Sequence, residues 1–246
     1  MLSHEKAAVL LLLLSSCGPV YPGKITGGHV VVPHSRPYMV LVERTMPNGD
    51  IINCGGFLLN EDFVMTAAHC KAKEYLIYLG LHDVDNKDNA ERITVEQAFP
   101  HSHFNSNTYI NDIMLLKLSS KANFSSNVKP INLASNDAEA LPKSCSVSGW
   151  GKTEDNGYLS PLLMEINITL IKNETCKKEN AYCSQGKNGP NEGDSGGPLV
   201  CEPGLAYGVV STMLQPHANE PRLYRYARIP DYKGWIISTV KAAKAK

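Results

Sequence analysis

The sequence reads as an all-β protein, a sandwich or a pair of small barrels sharing a cleft. Short runs rich in β-branched and aromatic residues recur between turn residues, at 38–42, 54–58, 63–66, 76–79, 113–118, 145–149, 198–201 and 208–211. Only the C-terminus carries a helical pattern, with Trp235, Ile236, Ile237 and Val240 at helical spacing before a lysine-rich end. No internal repeat and no Pro- or Ser-rich linker divides the chain, and the one turn-like stretch, 135–143, is the sole candidate boundary. All-β folds of about 200 to 250 residues form single units, so 246 residues fit one protein body.

The first residues are set apart. Glu5 and Lys6 precede the apolar run from Ala7 to Leu14, which ends in Ser15, Ser16, Cys17 and Gly18. That is the layout of a secretory leader, and the run is far shorter than the roughly 20 residues of a membrane-spanning helix. Residues 1–24 are therefore expected to be a signal peptide plus a short propeptide, residues 25–246 the functional domain, and the product secreted, with no membrane anchor. Lysine plus arginine equals aspartate plus glutamate, 24 each, with no basic arm, so nothing suggests a nucleic-acid partner.

Export turns the cysteines into a disulfide question. Apart from Cys17 in the leader, Cys54, Cys70, Cys145, Cys176, Cys183 and Cys201 form an even set, for which about 15 pairings exist. No pair has C-x-x-C spacing beside histidines, which disfavours zinc. His101 and His103 could touch one ion, but loop histidines are mostly solvated. No metal and no cofactor is expected. Asn123, Asn167 and Asn173 begin N-x-S/T sequons, candidates for glycosylation on an exported surface.

The chemistry concentrates at Gly193-Asp194-Ser195-Gly196-Gly197-Pro198, a glycine-flanked serine in a turn entering a strand. A hydroxyl is a weak nucleophile near neutral pH and needs a base, and the base needs a carboxylate to fix its tautomer. His69, in Thr66-Ala67-Ala68-His69-Cys70, and Asp112, in Asn111-Asp112-Ile113-Met114-Leu115-Leu116, are the candidates.

These three segments resemble the signature motifs of the chymotrypsin family of serine proteases, in its order of histidine, aspartate, serine. Ile25-Thr26-Gly27-Gly28, Cys54-Gly55-Gly56, Ser148-Gly149-Trp150-Gly151 and Pro221-Arg222-Leu223-Tyr224 agree in order, so the resemblance covers nearly everything after Lys24. It implies two six-stranded antiparallel barrels with a short C-terminal helix. It implies Ser195 as nucleophile, His69 as base, Asp112 as its orienting carboxylate, and the N–H groups of Gly193 and Ser195 as oxyanion hole. It further implies a zymogen whose new Ile25 amine pairs with Asp194, protein or peptide substrates, an activating protease cutting after Lys24, and serpin-type inhibitors. The disulfides it implies are Cys54 with Cys70, Cys145 with Cys201, and Cys176 with Cys183. A non-catalytic homologue acting as a binding module is the rival, but no triad residue or oxyanion glycine is lost.

The missing bridge beside the pocket, with Asn191 where a cysteine would stand, is similar to the granzyme, mast-cell chymase and cathepsin G branch, and Gly23-Lys24 fits either that branch's short activation dipeptide or a trypsin-type cleavage site after Lys24. That branch implies storage in a secretory granule or release outside the cell. By the same resemblance Gly189, Ser211, Met213 and Arg222 bind substrate. Gly189 replaces the aspartate of trypsin-like pockets, and Arg222 matches the pocket arginine of an acid-preferring granzyme, so the expectation is cleavage after Asp or Glu. Met213 stands where a glycine lines the pocket mouth, and an elastase- or chymase-like preference for small or apolar residues is the alternative. Leu81 falls where the calcium loop of some relatives carries a glutamate.

Overall fold

The computed structural model describes residues 27–135, 140–153, 157–214 and 221–245. The leader, Lys24 and Ile25 lie outside the described residues. Within them run β1 (His29–Val30), β2 (Met39–Thr45), β3 (Ile51–Asn60), β4 (Phe63–Thr66), β5 (Glu74–Leu79), β6 (Glu91–Pro100) and β7 (Met114–Leu118). After them come β8 (Cys145–Gly149), β9 (Met164–Ile168), β10 (Leu170–Ile171), helix α1 (Glu174–Lys178), β11 (Ala181–Gly186), β12 (Pro198–Cys201), β13 (Leu205–Leu214), β14 (Arg222–Arg228) and helix α2 (Lys233–Lys244).

Six strands close into a barrel in the order β2-β3-β4-β7-β6-β5, and the other eight form one sheet in the order β1-β9-β8-β12-β13-β14-β11-β10. The second body therefore differs in detail from the expected closed barrel: six main strands form a curled sheet, flanked by the two-residue edge strands β1 and β10, each bonded to one neighbour only. No helix among the described residues is long and apolar enough to cross a membrane.

Alternation explains the most apolar strand. Successive strand side chains face opposite ways. Along β2, Val40 and Val42 join Phe57, Phe63, Met65, Ile77 and Leu115 in the barrel core. Met39 and Leu41 face outward, packing with Trp150 and Leu163 from the second body. Burial on both faces is why this strand reads as continuous Met-Val-Leu-Val. The second sheet has its own core around Val147, Met164, Leu199, Val210 and Tyr226.

The expected C-terminal helix is present, and one further short helix joins it. The C-terminal helix starts at Lys233 and buries Ile236 and Ala243, while Ile237 is 57% exposed. A second helix, α1, was not foreseen: Asn173 accepts the Cys176 N–H as its N-cap, and five residues follow before Asn180 turns the chain at positive φ. Five residues are too few to show helical periodicity in a sequence.

Three disulfides fasten these elements. Cys54–Cys70 ties β3 to the turn carrying His69, Cys145–Cys201 joins β8 to β12, and Cys176–Cys183 joins α1 to β11. Of the sequon asparagines, Asn123 is exposed and donates from Nδ2 to Glu91 at 2.6 Å, Asn167 is exposed on β9, and Asn173 is half-buried at its capping position.

Candidate active site

The site is assembled from both bodies. β4 ends at Thr66 and leads into a single 3-10 turn, Ala68–Cys70, which the disulfide to β3 holds in place with His69 at its centre. His69 keeps 21% of its side chain exposed, whereas Asp112, two residues before β7, is fully buried. Asp112 Oδ1 accepts the backbone N–H of His69 at 2.9 Å, and Oδ2 accepts His69 Nδ1 at 2.7 Å. A carboxylate only accepts, so Nδ1 is the donor to Asp112 and Nε2 is the ring nitrogen turned away from it.

A third bond to Asp112 comes from the second body: Ser211 Oγ donates to Oδ2 at 2.6 Å. Val210 pairs with Tyr226 and Thr212 with Arg225, so Ser211 is an extra residue in β13 with no partner on β14. A bulge re-aims the side chain it carries. Here it aims a hydroxyl at the carboxylate.

Ser195 sits in the turn before β12. The carbonyls of Asn191, Val210 and Asp194 take the N–H groups of Asp194, Gly196 and Gly197, and Ser195 O accepts Gly55 N–H at 2.8 Å. Among the described residues, no backbone carbonyl takes the N–H of Gly193 or Ser195. Gly196, at φ 86, passes so close to β3 that a Cβ there would lie 2.1 Å from Thr66 Oγ1 and 2.4 Å from Gly55 O. Gly193, at φ 100, takes a backbone that other residues rarely adopt.

His69, Ser195, Tyr109, Asn191, Glu192 and Pro190 line one cleft of about 290 Å³, closed by Val210, Ser211, Thr212, Met213 and Tyr224. Its depth ends at a ring: Tyr224 lies across Gly189, where a Cβ would come within 2.4 Å of the ring, and its hydroxyl donates to Lys187 O at 3.2 Å. Met213 stands at the rim, 38% exposed. Arg222 is half-buried at the start of β14, opposite Gly186, and is not among the residues lining the cleft.

Asp194 is buried beneath the turn that carries Ser195, its carboxylate accepting N–H groups from Gly151 at 2.7 Å and Asn191 at 2.8 Å. Burial pushes its carboxyl up to about 6, against the lowering effect of those two bonds. Its candidate partner, Ile25, lies outside the described residues.

Other candidate ligands behave differently. Cys54, His69 and Cys70 cluster, but the two sulfurs are bonded to each other. His101 and His103 have ring centres 5.8 Å apart, and His101 packs on Tyr232 and Trp235, where burial lowers its basicity. Leu81 is a buried core residue.

The sequence reading missed Tyr109, whose ring meets the His69 ring edge-on at 5.6 Å between centroids. Its position three residues before Asp112 was a usable signal. It missed Leu159 as well, whose side chain covers Gly193 so closely that a Cβ there would meet it at 2.8 Å. No local pattern marks that contact, because it depends on a loop fold.

Comparisons with known proteins place the chain in a family. The profile of the family described as Trypsin matches residues 25–236. Granzyme B of Rattus norvegicus is 39% identical over 249 residues, covering 96% of this chain and 99% of the relative. Duodenase-1 of Bos taurus is 39% identical over 250 residues, covering 96% and 97%. A solved structure described as GrC superposes with a TM-score of 0.77 at 36% identity, covering 88% of this chain and the whole of the other. The chain accordingly belongs to the Trypsin family, as a serine endopeptidase of its granzyme branch.

Proposed function

We propose that the chain is a secreted, granzyme-like zymogen that, once cut before Ile25, hydrolyses peptide bonds after acidic residues through His69, Asp112 and Ser195. The observation that carries the catalytic part is the three-bond setting of Asp112, two bonds to His69 and one to Ser211. It leaves Nε2 of His69 to take the Ser195 proton as Oγ attacks the scissile carbonyl. The same nitrogen then returns the proton to the leaving amine, and water repeats the cycle on the acyl-enzyme. The N–H groups of Gly193 and Ser195 receive the developing oxyanion, an effect worth about 3 to 4 kcal/mol per donor in such sites. Cleavage after Lys24 frees an amine at Ile25 to neutralise buried Asp194, whose carboxylate meets only backbone N–H groups among the described residues.

Strand geometry supports the acidic preference. Arg222 is two residues before Tyr224 on β14, so the two share a face of the strand, and the Tyr224 ring lies in the pocket. The residue opposite Arg222 is Gly186, which offers no side chain in the way. A guanidinium there can meet a substrate carboxylate bidentately. A second reading, a preference for small or apolar residues, is favoured by Met213, Val210 and Tyr224 in the cleft lining.

Profiling the Ile25-started enzyme on a peptide library separates the two. Preference for Asp or Glu, lost in Arg222→Gly, is the expected result. Preference for Ala or Val in the wild type would replace it with the apolar reading. Secretion from cells, with residues 1–24 absent from the active product by mass spectrometry, tests the leader and activation assignments.

A further inference from the structure

The wall of the cleft beside His69 is held from behind by a buried charge. Arg225 on β14 is 7% exposed. Its Nη1 donates to Thr108 O at 3.1 Å, and its Nη2 pairs with the Glu179 carboxylate. A guanidinium presents its donors in a fixed fork, so one side chain can hold both partners at once. Thr108 directly precedes Tyr109, whose ring lines the cleft and meets His69 edge-on.

The segment it grips does not hold its shape unaided. Tyr109 has φ 56 and Asn111 φ 60, the left-handed region that a bulky side chain occupies only where its surroundings impose it. Several bonds impose it here, among them Tyr109 N–H to Asn105 O at 2.7 Å, Asn111 Nδ2 to His103 O at 2.9 Å, the Tyr232 hydroxyl to Asn111 Oδ1 at 3.4 Å, and Arg225 to Thr108 O. Of these, only the Arg225 bond comes from the second sheet. A cavity of about 10 Å³ is lined by clamp and site alike, with Arg225 and Glu179 on one side and Tyr109, Asp112 and Ser211 on the other. That is room for about one water at most, so a shift of the clamp is passed on.

Space-filling alone does not call for arginine. Its Nε is buried without a partner, a cost that a well-packed apolar residue would avoid. We propose that Arg225, braced by Glu179, is a positioning residue that holds the Tyr109 wall against His69. It thereby selects a compact apolar substrate side chain next to the one seated above Gly189. The Tyr109 and His69 rings line the same cleft, so an apolar side chain docked beside them gains contact only while the wall stays in place. The inference rests on the reading of the cleft as the active site.

The test compares wild type, Arg225→Met, Arg225→Lys, Glu179→Gln and the Arg225→Met/Glu179→Gln double variant as Ile25-started enzymes. Each is measured by the rate of fluorophosphonate labelling, by thermal midpoint, and by kcat and KM. The two peptides share the residue before the scissile bond and carry either Leu or Gly before that. Arg225→Met is expected to label within about threefold of wild type and to raise KM about tenfold on the Leu peptide and less than about threefold on the Gly peptide. Glu179→Gln keeps the bond to Thr108 and should change the KM ratio by less than about threefold. The double variant removes both charges together, so its thermal midpoint should recover while the KM ratio stays altered. If Arg225→Met does not fold, Arg225→Lys carries the test, since an ammonium cannot span both partners and its ratio should shift in the same direction. An unchanged ratio in Arg225→Met or Arg225→Lys overturns the proposal, as does a double variant that restores ratio and midpoint alike. A wild type neither labelled nor active would overturn the active-site reading and this one with it.

Discussion

Ser211 donates its hydroxyl to Asp112 at 2.6 Å across the junction of the two sheets, so the carboxylate that orients His69 is itself oriented by the opposite body. The bond exists because Ser211 is the unpaired residue of the β13 bulge. Removing it in Ser211→Ala is expected to lower kcat about tenfold with KM within about threefold, since the two His69 bonds to Asp112 remain. Asp112→Asn should cost far more, about 10⁴ in kcat, because an amide no longer fixes the tautomer. Steady-state kinetics on one peptide, with active enzyme titrated, checks both numbers.

Asp194 gives a pH signature to the unprocessed chain. Its folded carboxyl, at about 6, lies above the ordinary 3.8, so burial penalises the ionised form. The stability this group contributes is full below about pH 4 and is lost as pH rises through 6. The difference is on the order of 3 kcal/mol between pH 4 and 7. Denaturation of the uncleaved protein at several pH values should show that loss, and Asp194→Asn should flatten it. A slope unchanged by the substitution would count against the burial account.

Gly196 is fixed by space as well as by φ. A methyl there would meet Thr66 Oγ1 at 2.1 Å and the Gly55 carbonyl at 2.4 Å, and the carbonyl belongs to the β3 backbone and cannot swing away. Gly196→Ala is expected to destabilise by more than about 3 kcal/mol and to abolish activity together. Calorimetry of the variant, or its failure to be secreted, reads the effect directly.

The pocket prediction turns on two side chains. Met213→Gly opens the rim, and under the acidic reading it should speed cleavage after Asp or Glu without altering that preference. Arg222→Gly should slow the same cleavage by about 10² or more, the scale of losing one partner of a partly desolvated ion pair. Rates on paired Asp and Ala peptides decide it. A Met213→Gly enzyme that gains only on apolar substrates would support the apolar reading.

The parts of the fold legible in the sequence were those where one physical demand acts alone. β2, β4 and β7 are buried on most positions and read as apolar runs. β6 was not foreseen, because Glu91, Arg92, Glu96 and Gln97 leave little apolar pattern and only Ile93 is buried. β14 was missed because Arg222, Arg225 and Arg228 interrupt its tyrosines, and Arg225 is charged yet buried through a pairing that no local window shows. The candidate site divides in the same way. His69, Asp112 and Ser195 lie in short motifs whose chemistry can be named residue by residue. Tyr109, Leu159 and the Arg225 clamp act through contacts between segments far apart in the chain, and such contacts exist only after folding.

Under the proposed function, Ser195 is a nucleophile activated by His69. Its most direct test is mass spectrometry of the Ile25-started enzyme after exposure to a fluorophosphonate. One adduct is expected, on the peptide carrying Ser195, absent in Ser195→Ala and formed at least about 10³ times more slowly in His69→Ala. An inert wild type, or an adduct that persists on another residue in Ser195→Ala, would contradict it.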